Sequence, residues 1–243
     1  MHARSRSVVG VLALLVVTAG CVSAPTGGAP HETPLDAETV AADHWSVFAN
    51  AGTYTVTANS TATLGGQRMG TSTVWAAIDR PANRANLTVD TAIGQVDTYV
   101  DGGRVYQRVG ETDPQYRVVE RHVNVSRIVR PDLVATVENY TFEANGTATV
   151  NGQEVWVYEA NQTGENATLV RDLGANVLTV AVDVTLYVRE DGLVVRRVSN
   201  ATIAANDGAL TGTFVRTTTY SGIGTTTVDR PSWVEAAANA TTG

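Results

Sequence analysis

A stretch of strict alternation in the last third of the chain constrains the fold more than any other feature. From residue 178 to residue 189 every second residue is Leu or Val, and the residues between them are Thr, Ala, Asp, Tyr and Arg. A period of two is typical of a strand that buries one face. Because the stretch is about twice as long as the usual strand of roughly 5–6 residues, it predicts a large curved sheet with one apolar face.

Short turns join most of the other alternating segments, which begin at Thr53. Asp-Gly and Asn-Gly pairs favour tight hairpin turns, because Gly and Asn accept a positive φ. Strands that follow one another through such turns form an antiparallel meander. The turns predicted in this way are Asp101-Gly102-Gly103, Asn151-Gly152, Asp191-Gly192 and Asp207-Gly208.

Helical spacing replaces alternation in two places. The first predicted helix runs from Pro34 to about Asn50, with Thr33 as its N-cap and Gly52 at its end. The second is predicted over residues 125–140. Near the C-terminus, Pro231-Ser232-Trp233 either pins the end of the chain or opens a short third helix.

The order of these elements predicts the fold class. The first run of strands is expected to stop at Val109 and to resume at about Tyr140, so the helices do not alternate with the strands. A parallel βαβ sheet is therefore excluded. We expect a mainly β (α+β) fold, in which an antiparallel, curved half-barrel sheet of about ten strands carries two or three helices on its concave face.

The N-terminal segment predicts where the protein is located. Arg4 and Arg6 precede an apolar run and small residues that end at Cys21, the single cysteine of the chain. This pattern resembles a lipobox, in which the signal is cleaved and the cysteine receives a lipid. A membrane span would need roughly 20 apolar residues and the run is shorter, whereas an ordinary signal peptide or a first core helix stay as alternatives.

The resulting domain organisation has four parts. Residues 1–20 are predicted to be a signal peptide, and residues 21–32 to be the lipidated cysteine with a flexible Ser/Ala/Pro/Gly tether. Residues 33–238 are long enough for one domain with its own core, and residues 239–243 form a tail. We therefore expect the protein on the extracellular face of the cell membrane, held there by its lipid.

The charge of the chain excludes one class of partner. All 17 basic residues are Arg, against 24 acidic residues, and loss of Arg4 and Arg6 with the signal would lower the net charge from −7 to −9. A lysine-free, acidic composition is typical of a salt-adapted (halophilic) protein, and a GC-rich genome is the alternative explanation. Nucleic acid is excluded as a partner because no basic patch is visible.

Modification by glycans is a further expectation for an exported chain. Asn-X-Ser/Thr triplets mark possible acceptors, although a chain rich in Thr and Asn also forms them by chance. The sequence leaves open which of them carry a glycan. They occur at Asn59, Asn86, Asn124, Asn139, Asn145, Asn161, Asn166, Asn200 and Asn239.

Motifs for catalysis or metal binding are missing from the sequence. The one thiol is assigned to the lipid, and no Gly-X-Ser-X-Gly elbow, Cys/His metal spacing or phosphate-binding glycine loop occurs. Outside the signal and tether the histidines are His44, expected on a helix flank, and His122, expected in a loop or strand end; structural roles are favoured for both. We therefore predict no catalytic residues, no metal, no cofactor and no enzymatic activity.

Three polar or aromatic features leave alternatives open. Asp183 lies on the polar face of the long strand, either in solvent or as a polar group in a cavity. The pair Arg196-Arg197 breaks the alternation of its strand, which a β-bulge explains as well as a ligand clamp does. Cross-strand packing is favoured over a binding stripe for the aromatic residues Trp75, Tyr99, Tyr106, Trp156, Tyr158 and Tyr187.

Three short segments carry a resemblance to a known group. They are Val100-Asp101-Gly102-Gly103-Arg104-Val105-Tyr106, Leu186-Tyr187-Val188-Arg189-Glu190-Asp191-Gly192-Leu193 and Asp229-Arg230-Pro231-Ser232-Trp233. With the order of elements, they resemble the LolA-like group of lipoproteins and lipoprotein carriers, which includes the mycobacterial LprG–LppX-like proteins. The last segment is also similar to uncharacterised haloarchaeal surface lipoproteins.

The resemblance implies an acyl chain held between the half-barrel sheet and its helices. We expect a non-enzymatic lipoprotein that binds or transfers a hydrophobic ligand such as a lipid or an isoprenoid. A structural or interaction module that contacts envelope proteins is the alternative, and it would have a filled interior. Candidates for the ligand cavity are Val40, Phe48, Leu133, Val137, Val180, Val182, Val184 and Leu186.

Overall fold

The computed structural model describes residues 28–128, 133–163, 177–205 and 211–240. Eleven strands, three α-helices and one 3₁₀ turn lie within these residues. The helices are α1 (Ala37–Ala51), α2 (Leu133–Asn139) and α3 (Trp233–Ala240), and the 3₁₀ turn is Val125–Arg127. The strands are β1 (Thr53–Leu64), β2 (Gln67–Asp79), β3 (Arg84–Thr91), β4 (Gly94–Asp101), β5 (Arg104–Val109), β6 (Gln115–Glu120), β7 (Glu143–Val150), β8 (Gln153–Thr163), β9 (Val177–Val188), β10 (Val194–Ala205) and β11 (Thr211–Ser221).

All eleven strands form one open, curved, antiparallel sheet. Its order is β6-β5-β4-β3-β2-β1-β11-β10-β9-β8-β7, so the first and last strands of the chain pair at the centre. Strands β6 and β7 are the two edges of the sheet, and the segment with the 3₁₀ turn and α2 connects them. The predicted fold class, a mainly β antiparallel half-barrel with helices, is confirmed.

Most turns lie where the sequence predicts them. The hairpins at Gly102, Gly152 and Gly192 all place their glycine at a positive φ, between 60° and 81°. The predicted turn Asp207-Gly208 lies outside the described residues. The first run of strands does not stop at Val109, since β6 adds one more strand at the edge of the sheet.

The helices differ from the predictions at their boundaries. Helix α1 begins at Ala37, and its N-cap is Asp36, whose carboxylate accepts a hydrogen bond from the Thr39 N–H at 2.7 Å. Thr33 is therefore not the cap, because it lies before the first helical turn. Gly52 ends the helix as predicted, donating its N–H to the Phe48 carbonyl at 3.0 Å. Of the helix predicted over residues 125–140, the structure describes the 3₁₀ turn and the short α2, and residues 129–132 between them lie outside the described residues.

Two helices cover one face of the sheet, which we call the helix-covered face. Helices α1 and α2 pack against each other, and Val40 and Leu133 belong to one buried cluster with Leu186 of β9. The C-terminal half of α1 covers a second cluster, in which Phe48 packs with Val56 of β1. Two helices on this face fall within the predicted range of two or three.

Helix α3 lies on the opposite face of the sheet. Tyr99 belongs to a third cluster with Val234 of α3, whereas the next residue, Val100, belongs to the second cluster. Because successive strand residues point to opposite faces, α3 and α1 lie on different sides of β4. Arg108 of β5 lies over the Trp233 ring, with its guanidinium carbon 5.7 Å from the ring centroid.

The segment before α1 is attached to the sheet at His31. The Tyr158 hydroxyl donates to the His31 carbonyl at 2.8 Å and accepts from the His31 N–H at 3.1 Å. His31 is 7% exposed, and its burial lowers the pKa of its imidazole, an effect that Asp43 partly offsets. His31, near the end of the segment predicted as a tether, therefore packs against the sheet, and the four-part division of the chain stays a prediction.

Candidate ligand-binding face

The eight candidate cavity residues lie in different environments. All except Val180 are buried, each 5% exposed or less. Val180 is 43% exposed, near the start of β9. The buried residues pack in two core clusters: Phe48 belongs to the second, and the first contains Val40, Leu133, Val137, Val182, Val184 and Leu186.

The six residues of the first cluster contribute to the contact between the helices and strands β8 to β11, whereas Phe48 packs with residues of β1 and β2. Each side chain of this kind stabilises the fold by roughly 1.5–3 kcal/mol when it leaves water. Their assignment to a ligand cavity stays a prediction. Two of the candidates border pockets. Val137 lines a space of ≈ 420 Å³ between the start of α1 and the end of α2, and Val184 lines a pocket of ≈ 710 Å³ at the β7–β9 side of the sheet.

A second set of apolar side chains lies on the same face, farther along the sheet. Val74, Val89, Val96 and Val109 are direct cross-strand neighbours on β2, β3, β4 and β5. We call these four residues the valine row; Ala58 of β1 precedes it opposite Val74. They share the helix-covered face because each lies an even number of residues from a core residue of its own strand or from a residue packed against the core.

The valine row is more exposed than the core clusters. Val74, Val89 and Val96 are partly exposed, and Val109 is 48% exposed. By contrast, Val56 and Ile78 on the same face are completely buried beneath α1. The sheet therefore presents a band of apolar side chains, four strands wide, that remains in partial contact with water.

A β-bulge in β10 decides which face each of the paired arginines occupies. Val194 pairs with Val188, but Arg196 pairs with Tyr187, so Val195 is an extra residue in the ladder. Arg196 therefore points to the outer face, with its guanidinium carbon 5.9 Å from the centroid of the Tyr187 ring. Arg197 points to the helix-covered face. The bulge predicted as one of two explanations is confirmed.

Arg197 has a second arginine beside it on the neighbouring strand. Arg197 pairs with Thr218 of β11, and Arg216 of the same strand pairs with Ser199 of β10. The two arginines are thus diagonal neighbours on the helix-covered face, and both are partly buried. The Arg197 Nε donates to the Ser199 Oγ at 3.4 Å.

Tyr220 lies on the same strand and the same face as Arg216. Its side chain is 3% exposed and its ring packs against His44 and Phe48 at centroid distances of 4.9 and 5.2 Å. Burial raises the pKa of its hydroxyl strongly, so the group stays protonated, although Arg197 and Arg216 act in the other direction. Within the described part of the chain, this buried hydroxyl has no hydrogen-bond partner.

The histidines and tyrosines singled out from the sequence lie in the core, in a loop or in cross-strand pairs. His44 is fully buried rather than on a helix flank, and its Nδ1 accepts from the Val194 N–H at 3.2 Å. His122 lies in an exposed loop. Tyr99 and Tyr106 are cross-strand partners with ring centroids 6.1 Å apart, which confirms cross-strand packing for this pair.

Asp183 is exposed and lines a polar pocket of ≈ 710 Å³ at the β7–β9 side of the sheet. It accepts a hydrogen bond from the Asn161 amide, its cross-strand partner. Glu143 and Glu159 also line this pocket. Among the residues that the structure describes, no group of three or more His, Cys, Asp or Glu side chains is arranged to hold a metal ion.

None of the helices in the described ranges is long and apolar enough to cross a membrane.

Three solved structures illustrate what the chain is similar to. Lipoprotein LppX from Mycobacterium tuberculosis is 14% identical, with 79% of this chain and 99% of that chain covered and a TM-score of 0.42. LprF from Mycobacterium bovis is 14% identical, with coverage of 80% and 96% and a TM-score of 0.41. A LolA superfamily protein from Nitrosomonas europaea is 8% identical, with coverage of 82% and 97% and a TM-score of 0.28.

The group that the sequence resembles is represented among these structures, whereas the similarity to haloarchaeal surface lipoproteins stays a prediction. At such identities and TM-scores the similarity carries no information about function. None of the curated proteins compared with the chain matches it. Residues 16–237 match the family of unknown function DUF7537, and the chain belongs to this family.

Proposed function

We propose that this protein is a lipid-anchored lipoprotein on the extracellular face of the cell membrane, and that it binds or hands over a hydrophobic ligand. The observation that carries the proposal is the valine row. Four cross-strand neighbours on the helix-covered face stay partly exposed, although a sheet face of this kind normally packs against a cover. A flexible apolar ligand fits such a band because it needs few polar contacts.

The anchor is the second part of the proposal. Cys21 follows a basic start, a short apolar run and small residues, which supports lipidation of its thiol. A diacylglycerol supplies two chains, and two chains hold a protein at a membrane far better than one. Nine residues separate Cys21 from His31, the residue at which the chain contacts Tyr158 of the sheet.

Identification of the bound molecule tests the ligand part. The protein purified from membranes is analysed by native mass spectrometry and by organic extraction, and we expect a bound lipid. Val74→Asn, which places an amide in the valine row, should abolish it. Thr73→Asn changes the neighbouring exposed residue on the other face and should leave the ligand in place. A wild-type protein without any extractable ligand would refute the proposal.

The alternative is a structural or interaction lipoprotein of the envelope. The dense clusters around Leu133 and Leu186 favour it, because they fill the region between helices and sheet. Strands β6 and β7 are sheet edges at which a partner strand can pair. This alternative expects a ligand-free protein that forms specific cross-links to other envelope proteins, and it shares with our first choice the absence of enzymatic activity.

A further inference from the structure

We propose that the outer face of the sheet, the side opposite the helix-covered face, carries N-linked glycans on Asn59 of β1 and Asn200 of β10. Both asparagines begin an Asn-X-Thr triplet, the acceptor motif of exported chains. The inference rests on the extracellular location in the proposed function. It goes beyond that function because it selects two acceptors among the triplets that the sequence leaves open.

Strand alternation places both asparagines on the outer face. The residue before Asn59, Ala58, is 2% exposed, and the residue after Asn200, Ala201, is 1% exposed. Because neighbours along a strand point to opposite faces, the two asparagines point away from the helices. Both are exposed. Their strands flank β11, so they lie two strand spacings apart across the sheet, about 10 Å.

Attachment of a glycan involves the asparagine amide within a triplet that also requires a hydroxyl. A glycosyl phosphate donor and its transferase are supplied by the cell. The amide nitrogen forms a bond to the anomeric carbon of the sugar, the bond from that carbon to the phosphate oxygen breaks, and the phosphate leaves with the electron pair. The amide loses one proton and keeps one N–H. A triplet is therefore a suitable acceptor where both of its polar side chains are accessible and serve no contact of the fold.

The two selected triplets meet this condition. Residues two apart in a strand share a face, so Thr61 lies beside Asn59 and Thr202 lies beside Asn200 on the outer face. Thr202 is exposed and Thr61 is partly exposed. Within the described part of the chain, none of these four side chains takes part in a hydrogen bond or an ion pair. A glycan at either asparagine therefore disturbs no polar contact of the domain.

The triplet at Asn86 lies on the same face, but its side chains already stabilise the fold. The Asn86 amide donates to the Asp229 carbonyl at 2.8 Å, and it is only partly exposed. The Thr88 hydroxyl of the triplet donates to Asp97 at 2.8 Å. A glycan on Asn86 would have to displace the segment that leads into α3.

Two further strand triplets, at Asn145 and Asn161, are exposed but bound to carboxylates. The Asn145 amide donates to Glu159, and the Asn161 amide donates to Asp183. The Thr147 hydroxyl of the first triplet is hydrogen-bonded as well. Exposure alone therefore does not separate these sites from the selected ones, whereas hydrogen bonding does.

The other triplets in the described ranges lie off the sheet. Asn124 accepts from the Ser126 N–H at 3.0 Å, and the Ser126 hydroxyl accepts from the Arg80 Nε at 3.0 Å. Asn139 and Asn239 lie in the last turns of α2 and α3. Residues two apart in a helix point about 200° apart, so a helix does not present the amide and the hydroxyl on one face as a strand does.

Each selected asparagine has an exposed apolar neighbour on the outer face. Val215, which is 37% exposed, pairs with Asn200. Trp75, which is 39% exposed, lies two residues from Thr73, the partner of Asn59. Such diagonal neighbours are within reach of a large side chain. Since glycans are bulky and solubilising, they would shield both apolar side chains from other molecules.

Peptide mapping tests this assignment on protein isolated from membranes of the cells that naturally produce it. Chymotrypsin releases Asn59 within residues 55–64, and trypsin releases Asn200 within residues 198–216. We expect mass spectrometry to find the added mass of a glycan on both peptides. Peptides that contain Asn86 or Asn145 should be unmodified.

Substitutions then locate the attachment. Asn59→Gln and Asn200→Gln should each remove one glycan from the intact mass, whereas Asn145→Gln, the matched control on the same face, should remove none. Thr61→Ala and Thr202→Ala destroy the triplets and should have the same effect as the Gln variants. Thr61→Ser and Thr202→Ser keep the hydroxyl and should keep the glycan. If a Gln variant fails to fold, the threonine variants decide.

The possible results separate this inference from the proposed function. Protease added to intact cells shows independently whether the domain is extracellular. Unmodified peptides from a protein that this protease degrades would overturn the inference and leave the proposed function intact. Glycans confined to Asn124, Asn139 or Asn239 would also overturn the inference. Equal modification of Asn86 and Asn145 would overturn it too, because hydrogen bonding would then not select the acceptors. A protein without glycans that is shielded from the protease would overturn both proposals.

Discussion

Neutralising Asp97 should loosen α3 from the sheet. Asp97 is 8% exposed on the outer face of β4. It accepts hydrogen bonds from the Thr88 hydroxyl at 2.8 Å, the Gln95 amide at 3.0 Å, and the Arg108 guanidinium at 2.9 and 2.6 Å. Arg108 in turn lies over Trp233, the first residue of α3. The Asp97 carboxylate thus holds the Arg108 guanidinium in place against Trp233 of α3.

The cost of Asp97→Asn follows from these contacts. Breaking a buried ion pair typically costs 3–5 kcal/mol, and the partial exposure of Arg108, 28%, reduces that. Misplacement of the guanidinium over Trp233 adds roughly 0.5 kcal/mol. We expect the free energy of unfolding to fall by about 3 kcal/mol. For a domain of about 200 residues this lowers the melting temperature by about 6–12 °C.

Thermal unfolding followed by circular dichroism measures this effect, and its pH dependence provides a second test. Burial alone would raise the pKa of Asp97, but the hydrogen bonds from Gln95, Arg108 and Thr88 outweigh it and lower the pKa below its usual range. The ionised carboxylate therefore stabilises the fold above the unfolded pKa, about 3.9. The difference between wild type and Asp97→Asn should be constant near neutral pH and shrink as the pH falls below about 4.

The control is Asp90→Asn, which removes the same charge from an exposed residue of β3. It should change the melting temperature by less than about 2 °C. If Asp97→Asn is no more destabilising than Asp90→Asn, the network does not hold α3 and our account of this face is wrong.

Three further predictions concern the anchor, the sheet and the N-terminal segment. Cys21→Ser should release the protein from the membrane fraction into the medium, which an immunoblot of both fractions measures. Retention of the variant in the membrane fraction would contradict the lipid anchor. Gly212→Ala should destabilise the domain by about 1–3 kcal/mol in urea unfolding, because its Cβ would lie 1.9 Å from the Thr63 carbonyl oxygen. Gly70→Ala, with nothing within 4 Å, should be nearly neutral. Tyr158→Phe should speed proteolysis around residues 28–36, because it removes both hydrogen bonds to His31, each worth about 1 kcal/mol. Cleavage of the variant at the wild-type rate would show that this contact does not hold the segment against the sheet.

Periodicity predicted most of the sheet because a buried face imposes a rule on every second residue. Strand β9 is the clearest case: Val182, Val184, Leu186 and Val188 are all 1% exposed or less. Local turn chemistry predicted the hairpins equally well, since Gly102 and Gly192 adopt positive φ. Both signals are local, so a single sequence contains them.

Strand β6 shows where this reasoning fails. It reads Gln-Tyr-Arg-Val-Val-Glu, and only two of its residues, Tyr116 and Val118, pack against the α3 cluster. An edge strand has one neighbour and little to bury, so its sequence carries a weak pattern. The prediction of the N-cap of α1 failed for a different reason. Both Thr33 and Asp36 are acceptable N-cap residues, and the choice between them depends on where the chain turns into the helix.

The candidate face was predicted only in part because it depends on pairing between distant strands. Val74, Val89 and Val96 belong to three strands whose individual patterns are ordinary. They form one surface only in the observed register, since a slip by one residue would turn a strand's valine to the outer face. Sequence reasoning selected the most strongly apolar strand, β9, and thereby the residues that already pack against the helices.

The bulge in β10 is a second feature that depends on the pairing of strands, because it sets the faces on which Arg196 and Arg197 lie. In a regular strand, residues three apart point to opposite faces, yet Val194 and Arg197 both lie on the helix-covered face. The extra residue, Val195, accounts for this, because it shifts the alternation by one. Without it Arg196 would turn towards the helices and Arg197 towards solvent beside Tyr187. The position of one unpaired residue therefore determines which arginine of the pair lies on the helix-covered face and which lies beside Tyr187 on the outer face.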